Sequence, residues 1–310
     1  MMGCIETFDE FVRYAEDRGG LGIEGVAIAD GERVVREHRF APDLARNIYS
    51  HTKSYVVTAI GVAVEEGLLG LDDRLADAFP DYVPQDAPER LGRITLRHLL
   101  TMSSGFDHPY LMNEDRRAGV GAPDYLAYMF SQPVEAEPGE RFCYSSADSD
   151  LAGRMLERAT GERLGEYVFR TVFDQLDQGF PLWEADPQGH HIAGGGIHMT
   201  LRDMLKIGQV YLNGGLWHGR RIVGGDWVRL ASSKRIDTPV TNVWTCGYGL
   251  QFWMSPYPGA FRADGAYGQI TTVLPEQGLV VAMQCHETGD FDNVIRPAVH
   301  ERLMLPLCAG

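Results

Sequence analysis

The stretch IYSHTKSYVVTAIGVAVEEGLLG, residues 48–70, carries the strongest structural signal in this sequence. From Tyr55 to Val64 the residues are apolar on nearly every face of a helix, with small residues interspersed. A helix that is apolar all round is typical of a buried central helix. Gly67 and Gly70 are expected to end it. The rest of the protein should therefore be packed around this segment.

The polar start of the same helix holds Ser50 and Lys53, an S-x-x-K pair. Residues three apart on a first turn share a face, so the hydroxyl and the amine can meet. A backbone N–H at a helix N-terminus is free to point at a developing oxyanion, and a desolvated amine can take the serine proton. The pattern indicates nucleophilic acyl transfer. The alternative is that Ser50 caps the helix and Lys53 is a surface residue.

The scarcity of lysine favours the catalytic interpretation. The chain has only three lysines among its 28 basic residues, and the other two are Lys206 and Lys234. Arginine is always charged, whereas lysine can lose its proton when it is desolvated. A lysine at the start of a buried helix is therefore notable in this sequence.

Composition excludes several classes of partner. The chain has 310 residues, with 43 acidic and 28 basic side chains and a net charge of −15, so its surface should repel nucleic acid and anionic membranes. It contains no apolar run long enough to span a bilayer and no export signal. The five cysteines are scattered and odd in number. We expect a cytoplasmic protein with free thiols.

Strand signals lie near both ends of the chain, with helical patterns between them. LGIEGVAIADGERVVREHRF is predicted to be a hairpin around Asp30 and Gly31, and YGLQFWMS, GQITTVLPE and LVVAMQCHE are predicted strands. The expected fold is an α/β fold of the α+β type, with an antiparallel sheet flanked by helices and an inserted, mainly helical lobe. We expect residues 1–50 and 191–310 to form the sheet lobe, residues 51–190 the helical lobe, and the active site to lie in the cleft between them.

Several local signals define the predicted helices. One should start at Thr95 and stop at Gly105, another should break near Gly161, and a third should be capped by Thr200. The acids of DSD, residues 148–150, are interpreted as a cluster at a helix N-terminus, where the helix dipole favours them. The histidines of GHHIAGGGIH match no metal template. We expect no cofactor.

At this level of detail the sequence resembles the serine β-lactamase-related hydrolases. The resemblance runs from about Gly22 through SHTKSYVVTAIGVAVEEGLLGLDDRLADAFPDY, ITLRHLLTMSSGF, PGERFCYSSADSDLAGRMLERATG and GGGIHMTLRDMLKIGQVYLNGGLWHGRRIV to GAYGQITTVLPEQGLVV. This group includes class C β-lactamases, penicillin-binding DD-peptidases, carboxylesterases and 6-aminohexanoate-dimer hydrolases. The resemblance implies a fold in agreement with the two lobes predicted above.

The resemblance assigns roles to residues of the first two family motifs. Ser50 and Lys53 match S-x-x-K, and Tyr144 matches the tyrosine of Y-x-N, where it would be the phenolic partner of Lys53. A tyrosine beside a lysine can act as part of a general base and later protonate the leaving group. Ser146 stands where the family has an asparagine that contacts the substrate, and its hydroxyl reaches less far. A core aromatic is the alternative interpretation of Tyr144.

The third family motif, K-T-G or H-x-G, is aligned with Ala266, Tyr267 and Gly268. The cation that helps β-lactam-recognising members to bind a substrate carboxylate is then replaced by alanine. Gly268 would allow close backbone approach, Tyr267 would line a pocket, and the N–H of Gln269 would be the second oxyanion donor beside that of Ser50.

These residues together predict a serine hydrolase that acts on a small-molecule ester or amide and is more esterase- or amidase-like than β-lactamase-like. A transacylase would use the same residues but exclude water. A binding or regulatory protein that retains the fold without turnover is the alternative from another class. The oligomeric state and the natural substrate stay open.

Overall fold

The computed structural model describes residues 2–240, 242 and 244–309. Its central element is a six-stranded antiparallel sheet with the strand order β2-β1-β10-β9-β8-β7. Two further strand pairs, β3 with β4 and β5 with β6, lie outside this sheet. The strands in chain order are β1 (Ile23–Asp30), β2 (Arg33–Arg39), β3 (Arg46–Asn47), β4 (His198–Met199), β5 (Leu216–Trp217), β6 (Arg220–Arg221), β7 (Trp253–Met254), β8 (Phe261–Gly265), β9 (Gln269–Leu274) and β10 (Leu279–Cys285).

Helices precede, follow and interrupt these strands. Those of the described residues are α1 (Met2–Glu16), α2 (Thr52–Glu65), α3 (Leu75–Ala78), α4 (Leu96–Leu100), α5 (Asn113–Arg117), α6 (Tyr125–Phe130), α7 (Ser146–Thr160), α8 (Leu164–Val168), α9 (Leu201–Leu212), α10 (Gly225–Ala231), α11 (Arg296–Val299) and α12 (Leu305–Ala309). Strands from both ends of the chain thus form one antiparallel sheet, and helices dominate the middle. This confirms the predicted fold class. No helix in the described ranges is long and apolar enough to cross a bilayer.

Two predicted elements are shorter than their sequence patterns suggested. The segment YGLQFWMS contributes only β7 to the sheet, because Gln251 adopts a positive φ of 63° and the chain turns there. The helix that begins after the Thr95 cap ends at Leu100 rather than at Gly105, and Met102 beyond it has a φ of 57°. Both residues take up a left-handed backbone that non-glycine residues seldom adopt, so no local rule predicts these turns.

Each face of the sheet is covered by helices. On one face the buried side chains of β1 and β10 pack against α1 and the closing helical segment, through residues that include Phe8, Phe11 and Leu303. On the other face small residues of β1 and β10 pack against Leu201 and Leu205 of α9. The alanines there allow α9 to approach the sheet closely. The helix turns its apolar face, which includes Leu201 and Leu205, toward them.

Helix α2 is the central helix that its sequence predicts. Its residues from Thr52 to Gly61 are all buried, and the indole N–H of Trp227 donates to its Val57 carbonyl at 3.1 Å. His51, just before the helix, is joined to Thr271 of β9, with 2.8 Å between its Nε2 and the Thr271 Oγ1. Burial lowers the pKa of His51 to about 3, so the ring is neutral. This contact fixes the start of α2 against the sheet.

Candidate active site

Ser50 lies in a short 3-10 turn, Tyr49–His51, that leads directly into α2. Tyr49 has a positive φ of 47°, and its N–H donates to the Asn47 Oδ1 at 2.8 Å. The adjoining strand β8 approaches this segment so closely that a Cβ on Gly265 would lie 2.1 Å from the Ile48 carbonyl oxygen. Only glycine fits such an approach. Ser50 is therefore held between the N-terminus of α2 and the end of β8.

Lys53 lies within hydrogen-bond distance of the serine. Its Nζ donates to the Ser50 Oγ at 2.9 Å and to the Gly194 carbonyl at 2.6 Å, and the residue is 1% exposed. Burial lowers the pKa of Lys53 to about 7, although the nearby Asp150 carboxylate opposes this; the Arg116 guanidinium lowers it further. The amine can thus be neutral near pH 7 and accept the serine proton. The structure places Ser50 and Lys53 as their spacing predicts.

Tyr144 faces the same amine. The Lys53 Nζ lies 5.2 Å from the centre of the half-buried Tyr144 ring, which stacks on Trp253 with 5.3 Å between ring centres. Burial raises the pKa of Tyr144 above its ordinary value, while a hydrogen bond with Ser50 opposes the rise. The phenol is therefore protonated near neutral pH. This favours Tyr144 as a proton donor and Lys53 as the base.

The cleft above Ser50 has a volume of about 100 Å³. Ser146 lies at its edge, where its hydroxyl donates to the Met112 sulfur at 3.6 Å. Tyr267 contributes an aromatic side chain that is 37% exposed and packs edge-on against Tyr49, with 5.2 Å between ring centres. The lining residues are Tyr49, Ser50, Met112, Asn113, Glu114, Arg116, Ser146, Gly194, Gly195, Ala266 and Tyr267.

The connection between β8 and β9 places its residues on different sides. Ala266 and Tyr267 line the cleft, and Tyr267 has a positive φ of 61°. Gly268 packs elsewhere, since a Cβ on it would lie 2.8 Å from the Cys285 sulfur. The Gln269 side chain donates to the Cys285 carbonyl at 2.7 Å, and the residue lines a separate depression beside Glu287. The oxyanion role of the Gln269 N–H stays a prediction, and Ala266, which lines the cleft together with Ser50, is a second candidate.

With this geometry established, comparison with known proteins shows the family. The family model described as Beta-lactamase matches residues 8–303, which is nearly the whole chain. The chain belongs to the Beta-lactamase family. This confirms the resemblance found in the sequence.

Relatives in this family are named for reactions at ester and amide bonds. The chain is 28% identical over 278 residues to 6-aminohexanoate-dimer hydrolase of Paenarthrobacter ureafaciens, covering 81% of this chain and 69% of that protein. It is 28% identical over 247 residues to lovastatin esterase of Penicillium rubens, covering 66% of this chain and 59% of that protein. These relatives show that the protein is an enzyme of the serine hydrolase class, and not a binding protein without turnover.

A solved structure supports the same fold. The hydrolase EstCE1, described as having promiscuous acyltransferase activity, superposes with a TM-score of 0.73 at 20% identity, covering 96% of this chain and 99% of that one. At this identity the likeness establishes the fold of this Beta-lactamase family member and leaves its substrate open.

Two buried arginines beside the site are fully engaged by the protein. Arg262, on β8, is 2% exposed; it donates to Asp264 and to the Met254 carbonyl, and lies over the Trp253 ring. Arg116, in the cleft, donates from Nε and Nη2 to the Glu184 carboxylate, both at 3.1 Å. Neither guanidinium is left to bind a substrate carboxylate.

The sequence interpretation missed the role of the carboxylates in DSD. Asp148 lies in the first turn of α7 and Asp150 just after it, as the sequence predicts for acids at a helix N-terminus, but both side chains are buried. Asp148 accepts a hydrogen bond from the Ser104 hydroxyl at 2.8 Å, and Asp150 accepts the Gly194 N–H at 2.8 Å. Two acids spaced two apart among small residues at the start of a helix were the available signal. Within the described residues, no cluster of His, Cys, Asp or Glu fits a metal ion.

Proposed function

We propose that this enzyme cleaves an ester or amide bond of a small molecule through an acyl-enzyme on Ser50. The observation that carries the proposal is the 2.9 Å contact between the Lys53 Nζ and the Ser50 Oγ. The amine is buried, and its pKa is lowered to about 7 by that burial. A base with a pKa near the working pH is the most effective one.

In the acylation step, the Ser50 Oγ attacks the substrate carbonyl carbon while its proton passes to the Lys53 Nζ. The new C–O bond places negative charge on the carbonyl oxygen, which two backbone N–H groups would hold. One is that of Ser50. The other comes from the β8–β9 connection, where Gln269 is the sequence-based candidate and Ala266 lines the cleft. When the tetrahedral intermediate collapses, the bond to the alcohol or amine breaks and that group takes up a proton.

Tyr144 is suited to deliver the leaving-group proton. Its raised pKa keeps the phenol protonated, and its ring lies beside the Lys53 amine that contacts Ser50. Lys53 then passes the proton that it took from Ser50 to the Tyr144 phenolate, which restores both groups for the next step. In deacylation, water attacks the carbonyl carbon of the acyl-enzyme and loses a proton to Lys53. When the bond to the Ser50 Oγ breaks, Lys53 gives that proton to the serine oxygen, so the acid and free Ser50 are released.

Acyl transfer is the second candidate, because an alcohol or amine can replace water in that last step. The names of similar proteins motivate it: EstCE1 is described as a hydrolase with acyltransferase activity, and a monacolin J acid methylbutanoyltransferase of Aspergillus terreus is 31% identical over 148 residues, 42% of this chain. Product analysis with and without an added alcohol would separate the two reactions.

A serine-reactive fluorophosphonate tests the proposal. We expect the intact mass of the wild-type protein to rise by one adduct, and para-nitrophenyl butyrate to be hydrolysed. Ser50→Ala should show neither, and Lys53→Ala should label far more slowly. A wild-type protein that forms no adduct and leaves para-nitrophenyl butyrate uncleaved would contradict the proposal.

A further inference from the structure

A buried carboxylate that the mechanism above does not use is joined to the base through one backbone residue, Gly194. The Asp150 Oδ1 accepts the N–H of Gly194 at 2.8 Å, and the carbonyl of the same residue, Gly194, accepts a hydrogen from the Lys53 Nζ at 2.6 Å. Asp150 is 9% exposed, and its Oδ2 has no hydrogen-bond partner among the described residues. A buried carboxylate with a free oxygen is costly unless neighbouring charge compensates it.

We propose that Asp150 is a positioning residue for Lys53: its carboxylate anchors the backbone of Gly194, the residue whose carbonyl meets the amine, and its negative charge sets the pH at which that amine becomes the base. The proposal rests on the proposed function, in which Lys53 accepts the proton of Ser50. It assigns Asp150 no contact with substrate.

The orientation part follows from the hydrogen bonds. Gly194 is held on its N–H side by Asp150 and offers its carbonyl to Lys53. It is also packed tightly, since a Cβ on Gly194 would lie 3.0 Å from the Ser146 Cβ. The Gly194 backbone is therefore held both by the Asp150 hydrogen bond and by its packing on Ser146, which limits how far its carbonyl can turn from the amine. An amine held between this carbonyl and the Ser50 hydroxyl has a fixed direction toward the proton that it must accept.

The charge part follows from the groups that surround the pair. Burial raises the pKa of Asp150 to about 6, while the Arg116 guanidinium, the Gly194 N–H and the Lys53 amine oppose that rise. The Asp150 charge in turn favours the protonated form of Lys53. The two groups titrate as an interacting pair. The titratable and charged side chains that face it are those of Arg116, Tyr125, Tyr144, Arg154, Glu184, Asp186, His190 and His191.

The test uses the small number of lysines. In protein labelled with ¹³Cε-lysine, three lysines give few resonances, and that of Lys53 is identified by its loss in Lys53→Met. Asp150→Asn keeps an oxygen for the Gly194 N–H and removes the charge, so the titration midpoint of Lys53 should fall by about one pH unit. The acid limb of kcat/KM for para-nitrophenyl butyrate should move down with it, at nearly constant KM. Asp150→Ala also loses the acceptor for the Gly194 N–H, so its maximal kcat should be about tenfold lower than that of Asp150→Asn.

Asp148→Asn is the matched control. It removes a buried carboxyl group from the same helix, but one that accepts from Ser104 and whose pKa burial raises to about 8, so it carries little charge near pH 7. We expect it to change stability without moving the Lys53 midpoint. A shift of less than about 0.3 pH units in Asp150→Asn, or an equal shift in Asp148→Asn, would overturn the proposal.

Two further outcomes remain decisive. If Asp150→Asn does not fold, the wild-type Lys53 resonance is examined alone: it should titrate in two steps, the first reporting Asp150, and a single-step curve would overturn the proposal. If the wild type neither labels with fluorophosphonate nor turns over ester, the proposed function fails. The resonance measurements still decide on the link between Asp150 and Lys53.

Discussion

The two walls of the cleft are built in different ways. The helical wall carries Ser50 and Lys53, and its side chains are tied by hydrogen bonds to one another and to Gly194. The strand wall is the β8–β9 connection, whose shape depends on the positive φ of Tyr267 and on the packing of Gly268 against Cys285. The helical wall contributes reactive side chains, whereas the strand wall would contribute a backbone N–H group to the oxyanion hole. Substitutions should therefore affect the first through side-chain chemistry and the second through main-chain geometry.

The largest effect should come from the base. We expect Lys53→Met to lower kcat/KM for para-nitrophenyl butyrate by about 10⁴-fold, since general-base catalysis is lost together with a buried hydrogen bond. In the wild type, activity should rise as the pH passes through about 7, where Lys53 loses its proton. The residual activity of the variant should lack this rise.

Lys206→Met is the control, because its amine donates to backbone carbonyls at Leu176 and Asp177, pairs with Asp203 and does not contact Ser50. Equal losses in the two variants would show that the helical wall does not act through the Lys53 amine.

The second-largest effect should come from Tyr144, whose phenol faces the Lys53 amine. We expect Tyr144→Phe to reduce kcat by about 10²- to 10³-fold with little change in KM, because a positioned proton donor is removed while the ring packing is kept. The loss should be smaller for esters with good leaving groups, which need less protonation. Tyr248→Phe, in a ring that packs on Tyr144 at 6.0 Å, serves as the comparison. A loss independent of the leaving group would argue against the donor role.

The strand wall can be tested by removing single N–H groups. Ala266→Pro should lower kcat by about 10²-fold, the cost of one oxyanion donor. Gln269→Pro is the matched variant: Gln269 begins β9 with a φ of −83°, near the value that proline requires. If Gln269→Pro has the larger effect in steady-state kinetics, while both variants melt at similar temperatures, the donor is Gln269 as the sequence predicts.

The slowest reaction is expected to be acylation by a β-lactam. Nitrocefin should acylate the protein slowly, because Ala266 offers no cation, and both Arg262 and Arg116 are already paired with carboxylates. Intact mass against time would measure the rate. Fast stoichiometric acylation would show that the strand wall binds the β-lactam carboxylate by another route.

The sequence predicts those parts of the site that depend on residues close together in the chain, and it does not predict contacts between residues far apart in the chain. The Ser50 and Lys53 pair is local, because three residues on one helical turn bring the groups together. The hairpin at Asp30 and Gly31 is local too. The Asp150 contact joins residues 44 apart in the chain, so no spacing rule finds it.

The strand wall lies between these cases. Its position follows from the family motif, but which residue lines the cleft depends on the turn at Tyr267. A positive φ at a bulky residue is uncommon, and tertiary packing imposes it. The sequence interpretation aligned Ala266, Tyr267 and Gly268 with the motif, and the first two of these line the cleft. Its assignment of Gln269 as the donor stays a prediction that the Ala266→Pro and Gln269→Pro variants test.

The construction of the sheet from both ends of the chain has a consequence during synthesis. Strand β1 is buried along nearly its whole length and is paired on one side by β10, near the other end of the sequence. A ribosome therefore releases an apolar strand with one open edge long before its partner exists. Such an edge is a template for wrong pairing. We expect the nascent chain to need protection by a chaperone until β10 emerges, and the nucleophile to be fixed only after β9 has reached His51.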